Sequence, residues 1–302
     1  MKKKVVITGG SGFFGSYLSK KLIESGYSVV SADIAPPSVD AVSFVEVDLL
    51  NEVPEHEALS DPYAVINLAG KNIFGRWTDD FKALVYETRI EGTENFIELF
   101  ENEAFRPDVF VSASAVGYYG DAGDTELGAD SPAGDGFLAR VSKDWEKAAK
   151  KAQQYGVNTK IIRNGHILGS GGLLSVLLPY YRWGVGGPLG DGKQWFPWIH
   201  IEDVARLYIA AMEADTDAPA IYNAVAPQQV RNREFSRTLA DILDRPHVLR
   251  IPPFALKLLY GQFGEEMLYS QRVRADHIAL LDVSYQYSHV RSALAAVVDE
   301  HR

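Results

Sequence analysis

The chain has 302 residues, 46% hydrophobic and 23% charged, close to the averages of soluble folded proteins, which excludes disorder, collagen-like repeats and long coiled coils. Forty acidic against 30 basic residues give a formal charge of −10; no broad attraction to nucleic acid or to an anionic membrane is expected, and a small-molecule partner is. With no cysteine, disulfides, thiolate metal sites and cysteine nucleophiles are excluded, and a reducing, cytoplasmic setting fits.

At about 150 residues per domain, this length allows one large domain or a large one with a smaller partner. The basic start, Lys2-Lys3-Lys4, is followed only by Val5-Val6-Ile7 before Thr8-Gly9-Gly10, too short for the apolar core of a signal peptide. Residues 3–8 predict a strand, and Tyr17 to Ile23 carry apolar side chains at helical spacing up to Gly26. Further strands are predicted at 28–33, 42–46, 64–67, 109–112 and 159–163, with helical patterns at 78–101 and 137–155. Six strands alternating with helices predict an α/β, Rossmann-type doubly wound parallel sheet. The apolar run 173–178 ends at Pro179, and nowhere is there a stretch long enough to span a membrane. Beyond residue 165 the chain turns glycine-rich and then aromatic at Trp195-Phe196-Pro197-Trp198, as loops around a site do. Ile221 to Ala224 predict one more strand, and Asn232 starts a helix with Phe235, Leu239 and Ile242 on its apolar face. Residues 1–165 are therefore expected to form a dinucleotide-binding domain, with contributions from about 195–225, and residues 166–302 a smaller, mostly helical substrate-binding and C-terminal region.

Between the first strand and the first helix stands Thr8-Gly9-Gly10-Ser11-Gly12-Phe13-Phe14-Gly15. Gly9, Gly12 and Gly15, with Phe13 and Phe14 between them, suit a turn that brings backbone close to a pyrophosphate at a helix N-terminus. Asp33, followed by Ile34, ends the second strand where a carboxylate accepts hydrogen bonds from the adenosine ribose. It would repel a 2′-phosphate, so NAD is expected, with NADP as the alternative should a neighbouring cation override it. Asp48, next to Leu49, is a candidate for the adenine amino group or an ordinary turn residue.

The glycine spacing, Asp33, Asp48-Leu49, Asn67-Leu68-Ala69-Gly70 and Ser112-Ala113-Ser114 together resemble the extended short-chain dehydrogenase/reductase superfamily. Gly75-Arg76-Trp77-Thr78, the segment Ser112 to Gly120, Trp145-Glu146, Gly186 to Gln194 and Trp198-Ile199-His200-Ile201-Glu202-Asp203 resemble its sugar-nucleotide-epimerase-like branch over nearly the whole chain, and the terminal segment is similar to that branch's C-terminal domain. The resemblance implies that Leu68, Ala69 and Gly70 line the cofactor, that Ser112 and Ser114 lie beside the nicotinamide, and that Ser114 polarises a substrate carbonyl or hydroxyl. It also implies that Asn164, Gly165 and Ile167 meet the nicotinamide carboxamide.

The superfamily's Tyr-x-x-x-Lys pair is missing. Four residues before Lys143 stands Ala139, and aligning Glu146 with the usual downstream glutamate puts Leu138 and Ser142 at the two positions. Tyr118 or Tyr119 is the candidate phenol from another element, and Lys143 a candidate for the nicotinamide ribose or simply a solvated helix lysine. His166 is a candidate acid or base, since an unperturbed imidazole titrates near 6.5. Gln194, Trp195, Trp198 and His200 are candidate substrate contacts, the tryptophans alternatively core packing. Arg76 and Trp77 are candidates for an anionic substrate group, and Asp203 is expected to be an N-cap. There is no His-x-x-x-His, no Gly-x-Ser-x-Gly and no Walker motif, so no metal is expected. The expected function is an NAD(P)-binding epimerase or oxidoreductase acting on a sugar nucleotide or related small molecule. The alternative is a non-catalytic dinucleotide-binding regulator or scaffold. The helical faces near 80–100 and 137–155 suit either a homodimer or packing on the sheet.

Overall fold

The computed structural model describes residues 2–300. In chain order the elements are β1 (Lys4–Thr8), α1 (Phe13–Glu24), β2 (Ser28–Asp33), β3 (Ser43–Glu46), β4 (Ala64–Asn67), α2 (Asp79–Glu98), β5 (Val109–Ala115), β6 (Glu126–Leu127), α3 (Phe137–Lys150), β7 (Asn158–Asn164) and β8 (His166–Leu168). There follow α4 (Gly172–Arg182), β9 (Trp195–Phe196), β10 (Trp198–His200), α5 (Ile201–Glu213), β11 (Ile221–Ala224), β12 (Val230–Arg231), α6 (Asn232–Ile242), α7 (Pro253–Tyr260), α8 (Gln262–Glu266), β13 (Arg272–Val273) and α9 (Val290–Glu300).

Seven strands form one parallel sheet in the order β11-β7-β5-β4-β1-β2-β3. Its central strands are apolar on both faces, as a parallel sheet sandwiched between helices requires; Val5, Val6 and Ile7 are all fully buried. The order reverses between β1 and β4, so the ligand crevice of such a sheet opens beyond the C-terminal ends of those two strands. β5 runs to Ala115, three residues past the end predicted at 112, because Ala113, Ser114 and Ala115 pair in register with Ile162, Arg163 and Asn164 of β7. Pairing there overrides the modest strand preference of serine and alanine. α4 continues through Pro179 with Leu174, Leu178 and Tyr181 buried, so the proline falls inside the last turns instead of ending the helix.

α2 begins at Thr78, whose hydroxyl accepts the Phe81 N–H at 3.2 Å, and carries Asp79 and Asp80 in its first turn, both favourable at a helix N-terminus. α3 lacks a cap of its own. Gly136 precedes it at φ +113, and the orphan N–H groups of Phe137 and Leu138 donate to the two carboxylate oxygens of Glu266, at 2.8 and 3.1 Å. A residue of α8, 128 positions away from Leu138, therefore completes the start of α3. Trp77 fills the same seam, stacked on Phe263 at 4.9 Å and edge-on to Phe137 at 5.0 Å.

Candidate active site

At Gly9 and Gly15 the turn is packed so tightly that a side chain has no room. Gly9 has φ +71, and a Cβ there would stand 2.8 Å from the Ala69 nitrogen; one on Gly15 would stand 2.4 Å from the Gly9 oxygen. Gly12 heads α1 with no side-chain cap, which leaves the first N–H groups of the helix for a ligand anion. The aromatic rings of the turn point elsewhere. Phe13 packs against Gly169, Gly171 and Gly172, and Phe14 meets Tyr208 edge-on at 5.0 Å. Phe13 and Phe14 can thus serve a phosphate only through their backbone. A dinucleotide pyrophosphate fits this cradle.

Asp33 closes the turn from β2. Its Oδ2 accepts the Ser11 N–H at 3.0 Å and its Oδ1 the Ile34 N–H at 2.7 Å, leaving a lone pair on each oxygen for ribose hydroxyls. The Ile34 side chain is 69% exposed. Asp48 is exposed and accepts the Leu50 N–H and the Asn51 amide at 3.1 and 2.7 Å, so it builds the turn after β3; Leu49 beside it is buried.

Beyond β4, Leu68 donates its N–H to Thr8 O at 3.0 Å and Ala69 backs directly onto Gly9, while Gly70 is exposed. Beneath them a buried network ties the strand ends together. Thr8 donates to Asn67 at 2.6 Å, and the Asn67 amide donates to Thr93 at 2.9 Å and to Ser112 at 3.2 Å. Trp145 donates to Thr93 at 3.0 Å. Ser112 is fully buried in this network; it pins strands together and its hydroxyl does not face an open nicotinamide site.

Ser114 also departs from its expected role. It is 1% exposed, and its hydroxyl donates to Glu146 Oε1 of α3 at 2.8 Å. Glu146 in turn holds Arg163 of β7 in a two-point pair, at 2.7 and 2.9 Å. Arg163 further donates to the Tyr119 hydroxyl at 2.9 Å and to Ala129 O at 2.8 Å. Burial opposes the Arg163 charge, but the hydrogen bonds and charge of Glu146 override it and raise the guanidinium above its ordinary range. Tyr119 donates to Asn223 Oδ1 at 2.6 Å, and burial pushes its phenol up against the pull of Arg163. Tyr119 is thus part of the core and unsuited to proton transfer. Tyr118 differs: half-buried, it lays its ring 3.6 Å from the Arg163 guanidinium, and among the described residues its hydroxyl has no partner.

On α3, Leu138 and Ser142 face Gly117, where a Cβ would lie 3.2 Å from Leu138 Cβ and 3.9 Å from Ser142 Oγ. Lys143 is exposed on the opposite side, because the helix turns residue 143 away from the face that carries 138, 142, 145 and 146. Asn164 donates its amide to Ser114 O at 3.2 Å and to the Tyr208 hydroxyl at 2.8 Å, and its own side-chain oxygen is buried with no partner among the described residues. Gly165 donates its N–H to Ala224 O at 2.9 Å, and Ile167 pairs with Ile199.

His166 lies flat on Phe196, with ring centres 4.2 Å apart and planes at 12°. Packing of the half-buried ring lowers it to about 4, so it is neutral near pH 7 and holds no proton to give as an acid there. An unfolded histidine titrates near 6.5. Between about 6.5 and 4 the unfolded chain therefore binds a proton that the folded chain does not, and stability falls as the pH falls through that window. His166→Phe, which keeps the stack, is expected to lose less: its urea stability should drop by about 1–2 kcal/mol less than wild type between pH 6.5 and 5. Identical pH slopes for the two proteins would refute the neutral imidazole.

His200, Trp198 and Trp77 are buried in packing. His200, 3% exposed, accepts the Glu202 N–H at Nδ1 and caps α5, with its ring 3.8 Å from that of Tyr287. Asp203 is therefore not the cap; its carboxylate accepts the N–H groups of Gln286 and Tyr287 at 2.7 and 3.0 Å. Trp198 is 1% exposed and donates to Gln228 O, Gln194 is buried and donates to Leu189 O, and Trp77 fills the seam described above. Trp195 is half-buried at the surface, donating to Asp124 and lying 4.1 Å from Arg231 and 5.1 Å from Arg272. Arg76 is exposed and reaches Leu258 O at 3.4 Å. Glu146, Arg163 and Glu266 escaped the sequence-based list of site residues. Their signal was charge at positions of apolar periodicity, Glu146 after Trp145 and Arg163 after Ile161-Ile162.

Residues 5–224 match the model of the NAD dependent epimerase/dehydratase family, and residues 251–297 match the domain of unknown function DUF1731. The chain is 34% identical over 301 residues to the epimerase family protein SDR39U1 homolog, chloroplastic, of Arabidopsis thaliana, covering 97% of this chain and 86% of that protein. The crystal structure of human epimerase family protein SDR39U1 (isoform 2) with NADPH is similar at a TM-score of 0.87 and 29% identity, covering 98% of this chain and 99% of that one. The nucleoside-diphosphate sugar epimerase from Corynebacterium glutamicum is similar at a TM-score of 0.78 and 30% identity, over 99% of this chain and 58% of that one.

Proposed function

The chain belongs to the NAD dependent epimerase/dehydratase family, and from that membership we propose that it binds NAD(H) at the glycine turn and transforms a sugar nucleotide or related small molecule through the nicotinamide. The observation that carries this reading is the turn itself: Gly9 and Gly15, which admit no Cβ, an uncapped helix N-terminus and Asp33 joined to Ser11 at the switch point of the sheet. Among the described residues no cation pairs with Asp33, so nothing offsets its repulsion of a 2′-phosphate. The human relative was crystallised with NADPH; the carboxylate here favours the cofactor without that phosphate.

When bound, the cofactor supplies hydride acceptance and return. The residues around it divide the remaining work. Loop 68–70 and the first turn of α1 position the ligand, and the Thr8–Asn67–Thr93–Ser112 network keeps the strand ends rigid beneath it. Ser114 is engaged with Glu146, so the proton of the reacting hydroxyl is assigned to Tyr118, the phenol whose ring rests on Arg163. Titration calorimetry with NADH and NADPH tests the cofactor assignment. Asp33→Ala is expected to weaken NADH by about tenfold, the loss of one charge-assisted hydrogen-bonding group, and to narrow the gap to NADPH. NADPH binding more tightly than NADH to the wild type would refute it.

A second reading, a dinucleotide-binding regulator without turnover, is favoured by Leu138 and Ser142 at the positions facing Gly117. A nicotinamide that is bound yet never reduced or oxidised across nucleoside-diphosphate sugars, alcohols and carbonyl compounds would support it.

A further inference from the structure

The end of α4, the turn after it, the stretch 245–251 and α7 form one continuous surface. Arg245 donates from Nε to Arg182 O at 2.8 Å, the Ile251 N–H donates to Pro188 O at 3.0 Å, and the Gly190 N–H donates to Ile251 O at 2.8 Å. α7 leaves this stretch at Pro253 and ends beside α4, where the phenols of Tyr260 and Tyr180 interact. On this surface Trp183, Val248 and Phe254 are 84%, 82% and 74% exposed, and Leu258, Leu259 and Tyr180 are more than half exposed. Of α7 only Leu256 is buried, so Phe254 and Leu258, four residues apart, stand together on its outer side. A cluster of large apolar side chains left in water marks an interaction surface. Side chains exposed to this degree protrude, as suits entry into a soft layer.

Charge identifies the layer. The chain carries −10 overall, yet residues 172–190 and 245–264 contain Arg182, Arg245, Arg250 and Lys257 and no Asp or Glu. All four cations are exposed. Asp244 and Glu265 stand at the two ends of the second segment, and Glu265 pairs with Lys257 at 2.6 Å; four cations against these two carboxylates leave the face positive. A second copy of the chain is a poor occupant, because a two-fold contact sets the patch against itself and brings like charges together. A surface with anionic headgroups over an apolar interior matches both features. The acidic remainder of the chain is repelled by such a surface, which orients the molecule with this face towards it.

We propose that this face docks on a membrane containing anionic lipid, with Trp183, Phe254, Leu258 and Leu259 entering the headgroup region and Arg245 and Arg250 over the lipid phosphates. The docking is peripheral and independent of the dinucleotide reading.

Sedimentation of the full chain with vesicles tests it. With phosphatidylcholine and phosphatidylglycerol in equal parts the chain is expected to pellet, and with phosphatidylcholine alone to stay in solution; salt should release it from the mixed vesicles. Phe254→Gln/Leu258→Gln is expected to lower partitioning by at least about tenfold and Arg250→Gln by about fivefold, both variants melting within a few degrees of wild type. Brominated acyl chains should quench the wild type, and Trp183→Phe should lose most of that quenching. Equal binding to the two kinds of vesicle, or equal partitioning of wild type and Phe254→Gln/Leu258→Gln, would overturn the proposal. So would a wild type that pellets with neither; if the same double variant then abolishes a concentration-dependent dimer in sedimentation equilibrium, the face belongs to a second copy.

Discussion

Glu146→Ala is expected to cost about 3–5 kcal/mol in urea unfolding, because it strips the carboxylate from a guanidinium left buried. Arg163 is 2% exposed and Glu146 3%, and the same carboxylate is the acceptor for Ser114. The hydroxyl of Ser114 would then lose its partner as well, adding the cost of an unsatisfied buried donor. The double variant Glu146→Met/Arg163→Met is expected to regain a large part of the loss, since removing both charges also removes the desolvation that they impose. A single-variant cost below about 1 kcal/mol would mean that water reaches the pair and that it behaves as a surface salt bridge.

The second large effect is expected at Gly15. A Cβ there would stand 2.4 Å from the Gly9 oxygen and 2.7 Å from Gly10 Cα. Both neighbours are backbone of the same turn, so the clash cannot be relieved by a side-chain rotation. Gly15→Ala must open the turn, and NADH affinity measured by calorimetry is expected to fall by at least about tenfold, with about 1–3 kcal/mol lost from stability. Gly26→Ala is the matched control, because a Cβ at Gly26 meets nothing within 4 Å although its φ is +93. It should lose stability and keep its affinity. Equal affinities for the wild type and Gly15→Ala would show that the turn does not hold the pyrophosphate.

Much of the fold was legible because its signals are local. β2 and β4 fall on the predicted bounds, 28–33 and 64–67, since a buried parallel strand shows itself as a short apolar run between breakers. The glycine turn was legible for the same reason: spacing and flanking elements lie within a dozen residues. The chemistry around Ser114 was not. Its acceptor lies 32 residues on, and that acceptor's cation a further 17, so nothing near Ser114 announces that its hydroxyl is taken. His200 misled in the opposite way. In an aromatic, glycine-rich segment it suggested a ligand contact, while its real partner, the N–H of Glu202, is two residues away.

The cap that Glu266 places on α3 has a consequence for the order in which the molecule can be made. A chain is synthesised from its N-terminus and tends to fold as it emerges. All seven strands of the main sheet have been translated by Ala224, yet the first N–H groups of α3 are matched only by a carboxylate at residue 266. A nascent chain therefore holds a finished sheet beside an unfinished helix for the time needed to add some forty further residues. The first turn of α3 can be capped only once residue 266 has been made, with β13 and α9 still to follow.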